Sequence, residues 1–190
     1  MLLSMKGRYT KQKGFSLLEA LLAIVIIVAA GLGVVELFIS ADKKNKANTT
    51  QTIVQQAASA MSQLLSTSYN ETDLDTEDVV KSGLMANMYI TTAGAIQGPY
   101  GAFQVMQGDT PSEYFVTASD IPGDQAINIC QNMFTSAAVG STTSESTAAS
   151  AYAKTVANCQ ATFSGGSSKK YIMSFSFPRE NYIDNTNPSA

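Results

Sequence analysis

The sequence predicts an α+β fold: a long N-terminal helix, hydrophobic in its first half, packed by its second half on a small antiparallel sheet. Three observations carry this. Residues 20–35, ALLAIVIIVAAGLGVV, contain no polar side chain, and no proline interrupts residues 15–66. Within 48–66, Ile53, Val54, Ala57, Ala60, Met61, Leu64 and Leu65 recur at helical spacing, an apolar stripe with Gln and Ser opposite. Downstream, short alternating stretches bounded by turn residues read as strands.

In chain order, residues 1–14 form a basic leader holding Lys6, Arg8, Lys11 and Lys13 with no acid. Residues 15–40 are long and apolar enough to cross a bilayer, and residues 41–190 form a globular head. A helix continuous over 15–66 would run for about 78 Å, far more than a membrane needs. Asp75 or Thr76 is placed to cap a short helix ending at Lys81. TTAGAIQGPYG, residues 91–101, reads as a loop that ends a connecting segment of 67–101. AFQVMQ (102–107) and EYFVTAS (113–119) flank GDTPS as a hairpin. DQAINICQNMFTSA (124–137) reads as a helix with Ile127, Cys130 and Phe134 on one side. STTSESTAAS (141–150) reads as a flexible low-complexity loop. KKYIMSFSFP (169–178) reads as a strand with Tyr171, Met173, Phe175 and Phe177 on one face. Three or four strands are expected in all.

Charge is distributed as unevenly as apolarity. The leader carries +4 against −3 for the whole chain, leaving −7 for residues 15–190. A basic head before an apolar run marks the cytoplasmic side of a membrane. The acidic remainder argues against nucleic acid as the main ligand, because phosphate binding needs clustered Lys and Arg.

The chain has two cysteines and no histidine. A zinc site needs three or four such ligands, so no metal is expected. Outside the cytoplasm, Cys130 and Cys159 are most simply a disulfide, with two buried free thiols as the alternative. No cofactor is expected and no enzyme. Without histidine, acid–base work would fall to carboxylates or lysine, and no nucleophile–base pair is visible. Glu71, Asp73, Asp75, Glu77 and Asp78 lack the calcium-loop spacing and read as a solvated acidic loop. The glycines of GAIQGPYG and GGSSKK lack the ending of a phosphate loop.

Glu19 is the residue that sorts the readings of the apolar segment. An ionised carboxylate at a bilayer centre costs about 2.5–3.5 kcal/mol by the lower estimates. A secretory signal peptide, with ISA at 39–41 as a weak cleavage site, leaves Glu19 and Glu36 inside or beside an overlong apolar core. A plain single-pass anchor leaves Glu19 as a cost without an account. The residues KGFSLLEALLAIVII, by contrast, resemble the processing site of type IV pilins and pseudopilins. That motif is a basic leader ending in Gly, an apolar first mature residue, and Glu at the fifth mature position, here Gly14, Phe15 and Glu19.

The resemblance implies cleavage by a membrane-embedded prepilin peptidase between Gly14 and Phe15, and N-methylation of the Phe15 amine. It implies a homopolymer built at an inner-membrane assembly platform, with the subunit in the inner membrane beforehand and in a surface pilus afterwards. Glu19 would then set assembly register against the amine of a neighbouring subunit. Gly31 and Gly33 are read either as helix-packing sites or as points of local unwinding during assembly. Glu36 is either a solvated interfacial residue or a subunit contact. In the family a disulfide commonly bounds a C-terminal region, which here would be 130–159. Chain size and that separation resemble type IVb major pilins, and GAIQGPYG with the strand after it resembles the conjugative thin-pilus group. A pseudopilin of a type II secretion system, or a minor pilin, is the alternative.

Overall fold

A computed structural model describes residues 17–67, 73–110, 112–179 and 181. The chain divides into two compact units, Met1–Asp42 and Lys43–Ala190. Helix α1, Leu17–Thr67, supplies the described part of the first unit and the opening element of the second. The helix backbone runs without interruption through Gly31 and Gly33, each costing a helix about 1 kcal/mol relative to alanine.

In the second unit the expected stripe is the buried face of α1. Ile53, Val54, Ala57, Ala60 and Met61 are buried, with Leu64 and Leu65 partly so. They cover a five-stranded antiparallel sheet of β1 (Ile96–Gln97), β2 (Ala102–Gln107), β3 (Tyr114–Pro122), β4 (Ala138–Thr142) and β5 (Lys170–Phe177). The strand order is β1-β2-β3-β5-β4. Strand register explains which residues reach the helix. Val105, Val116, Phe175 and Val139 stand side by side across four strands, and Phe103, Ala118 and Met173 form the next row. Both rows are buried.

Helix α2, Thr76–Lys81, is stopped and started by side chains. Asp75 accepts from the Glu77 and Asp78 amides, while the Asp78 carboxylate accepts from the Asp75 amide, a reciprocal capping box. Thr76 ties this helix to β2: its hydroxyl donates to the Val105 carbonyl and accepts from the Val105 amide. Helix α3, Gly123–Met133, buries Ala126, Ile129, Cys130 and Met133. It lies beside α1, where Lys43 meets Asp124 at 3.2 Å and the Gln55 amide approaches the Met133 sulfur at 3.9 Å. Partial burial pushes the Asp124 carboxyl up. Hydrogen bonds from Gln125 and Lys43, with the Lys43 charge, outweigh that and hold it below its ordinary value. Helix α4, Asn158–Thr162, is a single short turn ending in buried Phe163.

Four expectations require correction. Among the described residues strands number five, two short ones beyond those the sequence marks. β1 lies in the glycine-rich 91–101 stretch, where only Ile96 is apolar enough to anchor it against Phe103. β4 reads AVGST, with no periodic pattern. Helix α3 stops at Met133, because the next three residues turn the chain towards β4. Its fully buried face is Ala126, Ile129, Cys130 and Met133; of the expected set Cys130 lies on it, Ile127 packs against the core only partly buried, and Phe134 falls beyond the helix.

The Ser/Thr-rich segment 141–150 is the fourth correction, since it is packed on the sheet. The Thr117 hydroxyl donates to the Glu145 carbonyl, and the Gln104 amide donates to the Glu145 carboxylate at 3.1 Å. Ala149 and Ala153 are buried. The Tyr152 hydroxyl bonds that of Ser176 at 2.9 Å, and the Ala153 amide donates to the Val139 carbonyl. This segment therefore forms a second layer, over the face opposite α1. Two of the polar residues that β3 and β5 bury on this face bond the cover, Thr117 its backbone and Ser176 a side chain. The third, Ser174, has no hydrogen-bond partner for its hydroxyl; being small, it lets the cover approach.

Gly140 is where this layer comes closest. A Cβ built there would stand 2.4 Å from the Ala151 carbonyl oxygen and 2.5 Å from the Ala149 Cβ. Both obstacles are backbone or short side chain and cannot swing aside. Gly140→Val is expected to lower the unfolding free energy of the detergent-solubilised chain by about 1–3 kcal/mol, the usual scale of overpacking. Denaturant unfolding checks this, and a wild-type midpoint would contradict the close packing of the second layer.

Candidate functional site

Two regions carry the sequence-derived candidates, one in each unit. In the first, Leu17, Leu18, Leu21, Leu22, Ile24 and Val25 begin a run of large apolar side chains, continuing to Ile39, that are all more than half exposed where described. Single exposed apolar residues are ordinary; a contiguous surface of them marks something that is normally covered. Length and apolarity suffice for this part of α1 to cross a membrane.

Glu19 sits in the first described turn of this helix and is exposed. Among the described residues nothing in the chain pairs with it. Its described neighbours at helical spacing, Leu22 and Ala23, offer no donor. Among the described residues the carboxylate therefore serves no contact of its own fold. Glu36 is exposed on the same segment, and Gly31 and Gly33 lie between the two acids. Gly14 and Phe15 lie outside the described residues.

These features acquire a common meaning from one comparison. Residues 9–35 match the family model described as the prokaryotic N-terminal methylation motif. The chain carries the type IV pilin and pseudopilin signal. The match includes the leader's last six residues, Glu19 and both glycines, and stops just before Glu36. No curated protein matches the chain. The long helix on an antiparallel sheet is consistent with the pilin fold, so the pilin-type signal and the head agree on a pilin-like or pseudopilin protein.

In the second unit, Cys130 of α3 and Cys159 of α4 are joined by a disulfide, their Cα atoms 5.9 Å apart. Both are fully buried. The bridge closes a stretch that includes β4, the second layer and the approach to α4, which otherwise has little apolar content of its own. Near its base, the Tyr171 ring packs edge-on against Phe163 and its hydroxyl donates to the Ser164 carbonyl. The second layer is thus fixed at both ends, by β4 pairing at one and by the bridge at the other.

The acidic stretch before β2 is solvated at Asp73, Asp75 and Glu77, but from Thr76 it is helix and not loop. Asp75 and Asp78 are spent on capping α2, and Glu77 pairs with Lys81 at 2.5 Å. Glu71 lies outside the described residues. Among the described residues no three His, Cys, Asp or Glu side chains stand together as metal ligands would. What sequence reasoning missed is Gly140 and the residues converging on Arg179, considered below. No local signal marks either, because both are defined by chain segments that meet only in the fold.

Removing the bridge with Cys130→Ser and Cys159→Ser together is expected to cost about 2–5 kcal/mol, the range for a disulfide of a small exported domain. The same loss should follow reduction of the wild-type chain. Thermal unfolding that is unchanged by reductant would contradict a stabilising role for the bridge.

Proposed function

We propose that the protein is the structural subunit of a type IV pilus, a type IVb-like major pilin. The observation that carries this is Glu19: a lone carboxylate five residues past Gly14, inside an apolar helix that matches the methylation motif. Prepilin peptidase removes residues 1–14 and the new Phe15 amine is methylated. Residues 15–40 hold the subunit in the inner membrane until an assembly platform passes it into the filament. There the helices of successive copies bury one another's apolar surface, and the heads form the outer wall.

The chemistry of Glu19 gives this assembly its register. In the membrane the carboxylate is costly unless protonated or near the headgroups. In a bundle of apolar helices it is costly everywhere except opposite a cation. The positive charge available at that depth is the amine of a neighbouring Phe15. A buried ion pair adds little net stability over apolar packing, but leaving one partner unpaired costs about 3–5 kcal/mol. Every axial displacement other than the correct one incurs that penalty, so one register is selected. The disulfide-bounded second layer favours the pilin reading over a pseudopilin, in line with the resemblance. Display of that layer on a fibre suits adhesion or cell–cell contact, mating contact included.

Glu19→Ala is expected to leave leader removal and membrane insertion intact while reducing sheared surface filaments about tenfold or more, the equivalent of losing ~1.4 kcal/mol per subunit addition. Immunoblots of membrane and sheared fractions measure both quantities. Filaments at wild-type abundance would overturn the register argument. Failure of leader removal would assign Glu19 to the peptidase instead.

A further inference from the structure

A cleft of about 330 Å³ opens on the head, lined by Ser62, Ser112, Tyr114, Ser136, Phe177 and Arg179 among others. These residues come from α1, the β2–β3 turn, β3, the turn after α3, β5 and the residue pair beyond it. The Tyr114 and Phe177 rings are stacked 5.2 Å apart and 15° from parallel, giving the cleft an aromatic side. The Tyr114 hydroxyl is bonded to Ser62. Around that pair the lining is hydroxyl-rich, and among the described residues its one charged side chain is cationic.

Arg179 is the unusual member. Its guanidinium lies 4.7 Å from the centre of the Phe134 ring. Its Nε is buried and without a hydrogen-bond partner, and among the described residues it forms no ion pair. The ring beneath holds the planar group in place, so less ordering is lost when an acceptor arrives. The acid adjoining the cleft, Glu113, is already engaged by the Asn181 amide at 3.0 Å.

We propose that this cleft binds a carboxylate-bearing saccharide, with Arg179 pairing to the carboxylate, the Tyr114–Phe177 aromatic pair flanking the C–H groups of the sugar, and the serine oxygens meeting its hydroxyl groups. Guanidinium and carboxylate match as a bidentate pair. A single cation among neutral hydroxyls balances one negative charge and leaves a polyphosphate uncompensated. The Ser136 hydroxyl donates to the Met133 carbonyl, which leaves its oxygen to accept from a polyol, and the volume lies at the small end of the range of about 300–1,000 Å³ for small-ligand sites. The inference rests on the head alone and stands or falls independently of polymerisation.

The test titrates the full chain in detergent with glucuronate, glucose and sodium sulfate, followed by ligand-observed nuclear magnetic resonance and calorimetry. Glucuronate is expected to bind about tenfold or more tightly than glucose or sulfate. Arg179→Gln should remove that preference at an unchanged unfolding temperature. Ser136→Ala, a smaller change at the rim, should weaken glucuronate several-fold and keeps the test valid should Arg179→Gln fold poorly. Equal binding of glucose overturns the role of Arg179, and equal binding of sulfate overturns the saccharide. Undiminished binding by Arg179→Gln, or no binding of glucuronate at all, overturns the site.

Discussion

An apolar helical surface left uncovered is the constraint on which everything else about this protein depends. Among the described residues from Leu17 to Ile39, fourteen large apolar side chains are more than half exposed. Burying each fully is worth about 1.5–3 kcal/mol, so the segment forgoes some 20–40 kcal/mol if it stays in water. That exceeds the whole stability of a typical domain, about 5–15 kcal/mol. A contiguous surface of this kind calls for an apolar cover. Glu19 is the one charge within residues 17–35, and in the filament proposed above it would distinguish two such covers: lipid offers no partner, whereas an ordered bundle would offer one at a single register.

The head solves a separate problem, that of making a stable domain from a sequence rich in small polar residues. One sheet face is closed conventionally, by the α1 stripe against rows of Val, Phe and Met. The other is closed by a segment with hardly any large apolar residues. Hydrogen bonds to Thr117 and Gln104, the close approach at Gly140 and the Cys130–Cys159 bridge do there what apolar area does on the first face.

How legible these features are in the sequence follows from their physics. The α1 stripe, the β2–β3 hairpin, the Asp75 cap and β5 declare themselves because each rests on local periodicity or a local hydrogen bond. β1 and β4 are silent because a two-residue strand and a Gly-centred strand take their pairing from neighbours distant in sequence. The segment 141–150 looks flexible because composition reports what a stretch can bury and not what it can hydrogen-bond. Glu19 and its flanking residues are legible because charge in an apolar run is conspicuous one residue at a time. The cleft around Arg179 is not, because six ordinary residues acquire meaning only when the fold brings them together.

The central claim is that the chain is cut before Phe15 and exported to the cell surface, and the intact mass with the N-terminal sequence of sheared surface material tests it most directly. A chain beginning at N-methylated Phe15, two protons lighter than its reduced form, is the predicted result. A chain beginning at Met1 and confined to the membrane fraction would contradict it and leave the carboxylate of Glu19 a cost that nothing repays.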